Sequence, residues 1–229
     1  MFRPLLNLSS VCSKCIKGNL GQVVSRNIQT AAALNKALSD FHMKKITTEF
    51  DHFYDKNQDG YFDKEDITQL KRRLRLYSHE TVGASKVESF TAGYQDYLLL
   101  MIETCDSDKD GRVSRGSFIK LWEKIISEAK DEKFTSLPQW VRIMPGGLFP
   151  VLDVDGDGEI GPEEYRSFWH TVGGFPVIGD ATLKNIFNEM TEGGKYKMNL
   201  ERVQDLYGEF YLSDDPSTAG RFISGPVQY

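Results

Sequence analysis

Asp153-Val154-Asp155-Gly156-Asp157-Gly158-Glu159-Ile160-Gly161-Pro162-Glu163-Glu164 decides how the rest of the chain is read. Counting Asp153 as position 1, side-chain oxygens fall at positions 1, 3 and 5, a backbone carbonyl at Glu159, and a two-oxygen carboxylate, Glu164, at position 12. A hard cation such as Ca²⁺ takes roughly 6 to 8 oxygens at about 2.3 to 2.6 Å, so a loop this short must turn sharply to aim all of them inward. Gly158 at position 6 permits that turn. Ile160 offers an apolar residue that can pair with the same position of a neighbouring loop. Pro162 opens the following helix, where a missing N–H costs nothing. The bland alternative, an acidic surface turn, would have to place all of these features by chance.

The spacing is that of an EF-hand loop, and it recurs. Residues 55–66 place Asp55, Asn57, Asp59 and Asp63 at positions 1, 3, 5 and 9, with Gly60 at the turn, Tyr61 supplying the carbonyl and Phe62 at the pairing position. Position 12 is Asp66, one methylene shorter than glutamate. A bidentate grip is then harder, and six-coordinate binding that tolerates Mg²⁺ easier. Residues 106–117 keep Asp106, Asp108 and Asp110, Gly111 and the apolar Val113, but position 12 is Ser117 and position 7 is Arg112. One neutral oxygen stands there in place of two charged ones, and Arg112 and Arg115 add positive charge, so this loop is expected to bind weakly; an inert loop is the alternative, although its three aspartates would repel one another without a cation. A fourth segment, 191–202, has no aspartate at positions 1, 3 or 5, carries Lys195 and Lys197 and ends in Arg202. It reads as a loop that has lost its metal.

Each loop should lie between two amphipathic helices, and the apolar spacing agrees. Ile46, Phe50 and Phe53 enter the first loop behind a candidate N-cap, Ser39, and Ile67, Leu70 and Leu74 leave it. Leu98, Met101 and Ile102 precede the second loop; Phe118, Leu121, Trp122 and Ile125 follow it. Tyr165, Phe168 and Trp169 leave the third, and two stripes, Leu183 to Met190 and Val203 to Phe210, flank the fourth. Pro145, Gly146, Gly147 and Pro150 interrupt the helix entering the third loop, which predicts a kinked or two-part helix. Stripes at this spacing read first as core, although the aromatic residues among them could also line a ligand cavity. The run Lys71-Arg72-Arg73-Leu74-Arg75 reads as a solvated helix face.

Of the 28 basic residues, Arg3, Lys14, Lys17, Arg26 and Lys36 lie in residues 1–39, which hold no acid; the remainder carries 23 basic against 33 acidic residues. An acidic body suits cations, not nucleic acid. No apolar run approaches the ~18 residues of a membrane span. Residues 1–36 are Ser-rich, Arg-containing and acid-free, and resemble a mitochondrial presequence; a disordered basic tail is the plainer alternative. Cys12 and Cys15 have CxxC spacing without a second pair, and the three cysteines predict no disulfide framework. The four histidines stand near no nucleophile, so no catalytic constellation is expected.

Particular segments narrow the family. Leu38-Ser39-Asp40-Phe41 leading to Phe53-Tyr54-Asp55, Ser136-Leu137-Pro138-Gln139-Trp140, and Gly193-Gly194-Lys195 are similar to calexcitin. The tail Ser213-Asp214-Asp215-Pro216-Ser217-Thr218, closing with Gly225-Pro226-Val227, resembles that of the invertebrate sarcoplasmic calcium-binding proteins. The resemblance covers residues 37 to 229. It implies an all-α fold of four EF-hand units in two packed pairs, residues 37–130 and 131–229, with metal in up to three loops. The implied ligands are Asp55, Asn57, Asp59, Tyr61, Asp63 and Asp66; Asp106, Asp108, Asp110, Arg112 and Ser117; and Asp153, Asp155, Asp157, Glu159 and Glu164. The expected protein is a monomeric, non-enzymatic intracellular Ca²⁺ buffer, in the cytoplasm or the mitochondrion. The alternatives are a calexcitin-like sensor with a protein partner, and a luciferin-binding protein or photoprotein with an apolar cavity. A sensor must expose an apolar groove on binding, and the aromatic segment around Phe210, Tyr211 and Phe222 looks able to cover one.

Overall fold

The computed structural model describes residues 38–80, 84–106, 109–173 and 178–225. The presequence-like segment with Cys12 and Cys15, the ligand candidate Asp108, and Pro226-Val227 of the tail lie outside the described residues. Helix α1 (Asp40–Glu49) starts at Ser39, whose hydroxyl accepts the His42 N–H at 3.1 Å and so satisfies one orphan donor of the first turn. Its last turn widens into a π-helical turn, Phe50–Tyr54, closed by the Asp55 N–H on the Phe50 carbonyl at 2.8 Å. The extra residue aims Asp55 into the first loop. Helix α2 (Lys64–Glu80) buries Ile67, Leu70, Leu74 and Tyr77 on one face. Helix α3 (Ala84–Cys105) follows, then α4 (Arg115–Glu128), capped by the Ser114 hydroxyl.

Helix α5 (Gln139–Leu152) runs as one helix across Pro145 and Pro150, not as two parts. Each proline removes one i→i−4 bond, those to the carbonyls of Val141 and Gly146, and the remaining bonds with a buried apolar face carry the helix past both. Helix α6 (Pro162–Thr171) has its proline in the first turn as the sequence predicts. Helices α7 (Asp180–Met190) and α8 (Leu200–Leu212) bracket the fourth loop.

The loops meet in pairs at position 8. Strands β1 (Tyr61–Phe62) and β2 (Val113–Ser114) pair antiparallel, with Phe62 opposite Val113. In the second half the Ile160 N–H donates to the Met198 carbonyl at 2.9 Å. All four side chains are buried, so a two-stranded sheet in the first half and a single backbone hydrogen bond in the second each lie over buried apolar side chains. The described residues belong to one compact unit. Helix α3 packs on α5, α2 on α6, and α1 on α4 and α8. Tyr77 meets Phe168 edge-on at 5.7 Å, and Trp122 lies flat on Tyr211 with centroids 3.9 Å apart. The basic run on α2 is partly neutralised: Lys71 and Arg75 both pair with Glu88 of α3 at 2.8 Å.

Candidate metal centres

Loop 153–164 has the convergent geometry that its sequence implies. Ligand atoms of Asp153, Asp155 and Glu164 all lie within 4.8 Å of one another. The cage is held open by its own backbone. Glu164 Oε1 accepts the N–H of Val154 at 2.7 Å and of Asp155 at 3.3 Å, and Oε2 accepts Gly161 N–H at 2.6 Å. Asp153 accepts Gly156 and Gly158, Asp155 accepts Asp157, and Asp157 accepts Glu159. Gly158, at φ +88°, takes the turn in a left-handed conformation that a side chain would strain. Like-charged carboxylates gathered this closely repel one another, and Glu164, in the first turn of α6, also sits at the positive end of that helix. The donor set is hard oxygen throughout, which fits Ca²⁺ or Mg²⁺ and not a soft metal. The Glu159 side chain is turned away into an ion pair with Lys197 of the fourth loop, consistent with its carbonyl being the atom that faces a metal.

Loop 55–66 repeats this bonding in shortened form. Asp66 Oδ1 accepts the N–H of Lys56 at 2.7 Å and of Asn57 at 3.2 Å, and Oδ2 accepts Asp63 N–H at 2.8 Å. These are positions 2, 3 and 9, the same three that Glu164 holds. Asp55 accepts Asp59 and Gly60, Asn57 accepts Asp59, and Asp59 accepts Tyr61. Burial to 1 % exposure pushes the Asp66 carboxyl up to about 6, although its backbone donors pull the other way. Position 3 is the amide Asn57 here, and among the described residues only loop 153–164 brings three carboxylates within 4.8 Å.

Loop 106–117 is organised differently. Asp106 still accepts Asp110 and Gly111. Asp110 Oδ2, however, is held by Arg112 through Nε at 3.0 Å and Nη2 at 2.8 Å, and the guanidinium lies 3.8 Å from the centroid of the Tyr61 ring. The Ser117 hydroxyl accepts from Ser114 Oγ at 3.0 Å, inside the cap of α4. In the fourth loop Arg202 Nε donates to the Met190 carbonyl at 3.0 Å, joining the end of α7 to the start of α8.

Two buried ionisable residues beside the loops and the core escaped the sequence reading. Lys56, at position 2 of the first loop, is buried and reaches the carbonyls of His52 at 2.6 Å and Val172 at 3.4 Å; burial and then Arg73 push its ammonium down to about 7. Glu49 is buried between α1, α8 and the tail, 3 % exposed, with Oε1 accepting Tyr211 Oη at 2.6 Å and Ser224 Oγ at 3.0 Å. The signal for Glu49 was its place at i+3 from Ile46, on the apolar stripe. It lines an apolar cavity with Phe53, Phe149, Trp169, Tyr207 and Ile223 whose volume is about 40 Å³. A cavity of that size holds a few waters.

Four helix-loop-helix units with loops paired through position 8, at least one of them a converged oxygen cage, define an EF-hand protein. The EF-hand family model matches residues 148–169. The chain belongs to the sarcoplasmic calcium-binding protein family: it is 30% identical over 183 residues to the sarcoplasmic calcium-binding protein beta chain of Penaeus sp., covering 92% of that protein and 77% of this chain. Sarcoplasmic calcium-binding proteins I, III and IV of Branchiostoma lanceolatum are 29% identical over 188 residues, 98% of their length and 82% of this chain. The structure of an amphioxus sarcoplasmic calcium-binding protein superposes with a TM-score of 0.69 at 28% identity, over 83% of this chain and 99% of that one.

Proposed function

We propose that the protein is an intracellular Ca²⁺ buffer that binds the ion in loops 153–164 and 55–66. The observation that carries the reading is the convergence of Asp153, Asp155 and Glu164 on one point, held by N–H donors from the same loop. Its relatives are named for calcium binding. Asp153, Asp155, Asp157, the Glu159 carbonyl and Glu164 are the ligands proposed for the tighter site. Asp55, Asn57, Asp59, the Tyr61 carbonyl and Asp66, with Asp63 at position 9, form a second site that the shorter Asp66 makes tolerant of Mg²⁺.

A buffer is favoured over a sensor by the packing of the tail. Phe210 and Tyr211 are buried, Phe222 is partly buried against the core, and Gly220 and Ser224 are hydrogen-bonded to Glu209 and Glu49. The surface that a sensor would uncover is thus occupied. An apolar dye should therefore show little Ca²⁺-dependent rise in fluorescence, and a large rise sinks the buffer assignment. In calorimetry, Glu164→Gln should weaken the tightest site at least about tenfold, because a charged carboxylate with two ligating oxygens becomes a neutral amide with one. Unchanged high-affinity binding would refute the ranking of the loops. The basic, acid-free segment 1–36 supports import into the mitochondrion, with the cytoplasm as the alternative. Native protein should then begin near Gln29 to Ala33 by mass; an intact Met1 rules import with cleavage out.

A further inference from the structure

After α8 the chain turns back, and its last described residues lie over Glu49. The Ser213 carbonyl accepts the Lys45 ammonium at 2.7 Å, and Asp214 meets Ser39 and His42, so the tail is anchored to the start of α1. A turn follows, in which the Asp215 carboxylate accepts the Ser217 N–H at 2.8 Å and the Asp215 carbonyl accepts the Thr218 N–H at 3.2 Å. Beyond it, the short helical turn Ala219–Phe222 lies on α8 through the Gly220 N–H and Glu209, and on α7 through the ion pair of Arg221 with Glu189. Ile223 then forms part of the wall of the apolar cavity, and Ser224 Oγ donates to Glu49 Oε1 at 3.0 Å. Residues 219–224 are thus a strap with Glu49 beneath its far end.

The space under the strap suits a neutral carboxyl and not a charged one. Glu49 Oε2 is shut off from solvent and has no hydrogen-bond partner among the described residues. The titratable groups that face Glu49 from the packed elements are phenols: Tyr94 and Tyr97 of α3, Tyr165 of α6, and Tyr207 and Tyr211 of α8, with Tyr54 from the π-helical turn. Burial raises the titration of all six, so they stay neutral beside it. Along its own stretch of helix Lys45 and His52 stand about one turn to either side, and the Lys45 ammonium is committed to the tail anchor. A carboxylate here would lose its hydration and receive only two hydroxyl donors, which costs free energy in an apolar setting. Burial accordingly pushes the Glu49 carboxyl from 4.5 up to about 7. Lifting Ser224 away would return water to it.

We propose that residues 219–224 are a proton-operated strap, closed over the apolar cavity while Glu49 is neutral and lifted from the anchor at Ser213 and Asp214 when Glu49 ionises, uncovering an apolar face of the second EF-hand pair. The closed strap binds the proton more tightly than the open one. Closure is therefore favoured in full below about pH 4.5, weakens as the pH rises to about 7, and stays weakened above. The ties that oppose lifting are modest: one N–H on the Glu209 carboxylate, and an ion pair whose Glu189 partner is half exposed to water. The strap works with or without Ca²⁺ in the loops.

The test is amide hydrogen exchange on the full chain at pH 5 and pH 8, in chelator and in Ca²⁺, expressed as protection factors so that the intrinsic pH dependence of exchange is removed. The amides of Gly220, Ile223 and Gly225 are all hydrogen-bonded in the closed strap. Their protection should fall roughly seventyfold from pH 5 to pH 8, the ratio set by a group that titrates near 7 when closed and near 4.5 when open. It should also stay below that of amides inside α8. Protection that does not change with pH overturns the proposal, and so do strap amides as well protected as the α8 interior, because the strap would then open only with the whole fold. Glu49→Gln should remove the pH dependence. The imidazole of His42, 3.4 Å from Asp214 at the anchor, is a second titratable group on the tail, and a Gln variant that keeps the wild-type fall assigns the effect there and sinks the role of Glu49. Arg221→Ala, which leaves the core untouched, should lower strap protection at both pH values and keep their ratio; unchanged protection overturns the placing of the strap.

Discussion

At the scale of single residues, Glu49 has consequences that its neighbours on α1 do not. Burial pushes its carboxyl up from the ordinary 4.5 to about 7, against the pull of the Tyr211 and Ser224 hydroxyls. The folded state therefore holds the proton more tightly than the unfolded chain. Stability from this group is fully present below about pH 4.5, declines as the pH rises toward 7, and stays at its reduced level above. The decline is worth up to about 3 kcal/mol, at ~1.4 kcal/mol for each pH unit between the two values. Glu49→Gln keeps a neutral side chain that can still accept from Tyr211, so it should abolish this decline. Denaturant unfolding of the Ca²⁺-free protein at pH 5 and pH 8 checks it, and equal pH dependence in the two proteins would count against a buried neutral Glu49. The ligand carboxylates were legible in sequence because their spacing is a fixed chemical template. Glu49 was legible only in part: its place at i+3 from Ile46 sets it on the apolar stripe, but that the tail covers it was not in the local pattern.

At the scale of elements, local signals carried most of the helices. Ser39, Ser114 and Asn199 cap helices by accepting the N–H three residues on, and all three stand immediately before an apolar stripe. The π-helical turn at Phe50–Tyr54 and the uninterrupted α5 had no such signal. Both depend on what the backbone packs against, which is tertiary information. The turn Ala219–Phe222 is the element most sensitive to a small change. A Cβ on Gly220 would lie 2.4 Å from Glu209 Cβ and 2.6 Å from the Leu206 carbonyl, and a backbone atom of α8 cannot step aside. Gly220→Ala should push the tail off α8, lose the Gly220 N–H bond to Glu209, and cost roughly 1 to 3 kcal/mol. The denaturant midpoint should fall and Ca²⁺-independent dye binding should rise. An unchanged midpoint would mean that the tail is not packed as described.

At the scale of the whole molecule, the two EF-hand pairs are fastened to each other by aromatic and hydrogen-bonded contacts between their helices and the tail. Trp122 of the first pair stacks on Tyr211 of the second, with rings 6° from parallel. Lys45 of α1 donates to the Ser213 carbonyl at 2.7 Å, and Ser39 and His42 meet Asp214, so the tail clasps the opening helix of the chain. The chain by itself determined four helix-loop-helix units, the position-8 pairing, and the full oxygen pattern of loop 153–164. Those follow from short-range rules: helical periodicity, glycine at a left-handed turn, and oxygens at fixed offsets from one another. Only the tertiary structure decided that Arg112 faces Tyr61 across the sheet, that Lys56 reaches Val172, and that Glu49 is shut in by Ser224. Each of those contacts joins residues far apart in the chain, and their energies come from burial and from charges brought together. Neither quantity exists until the helices have packed.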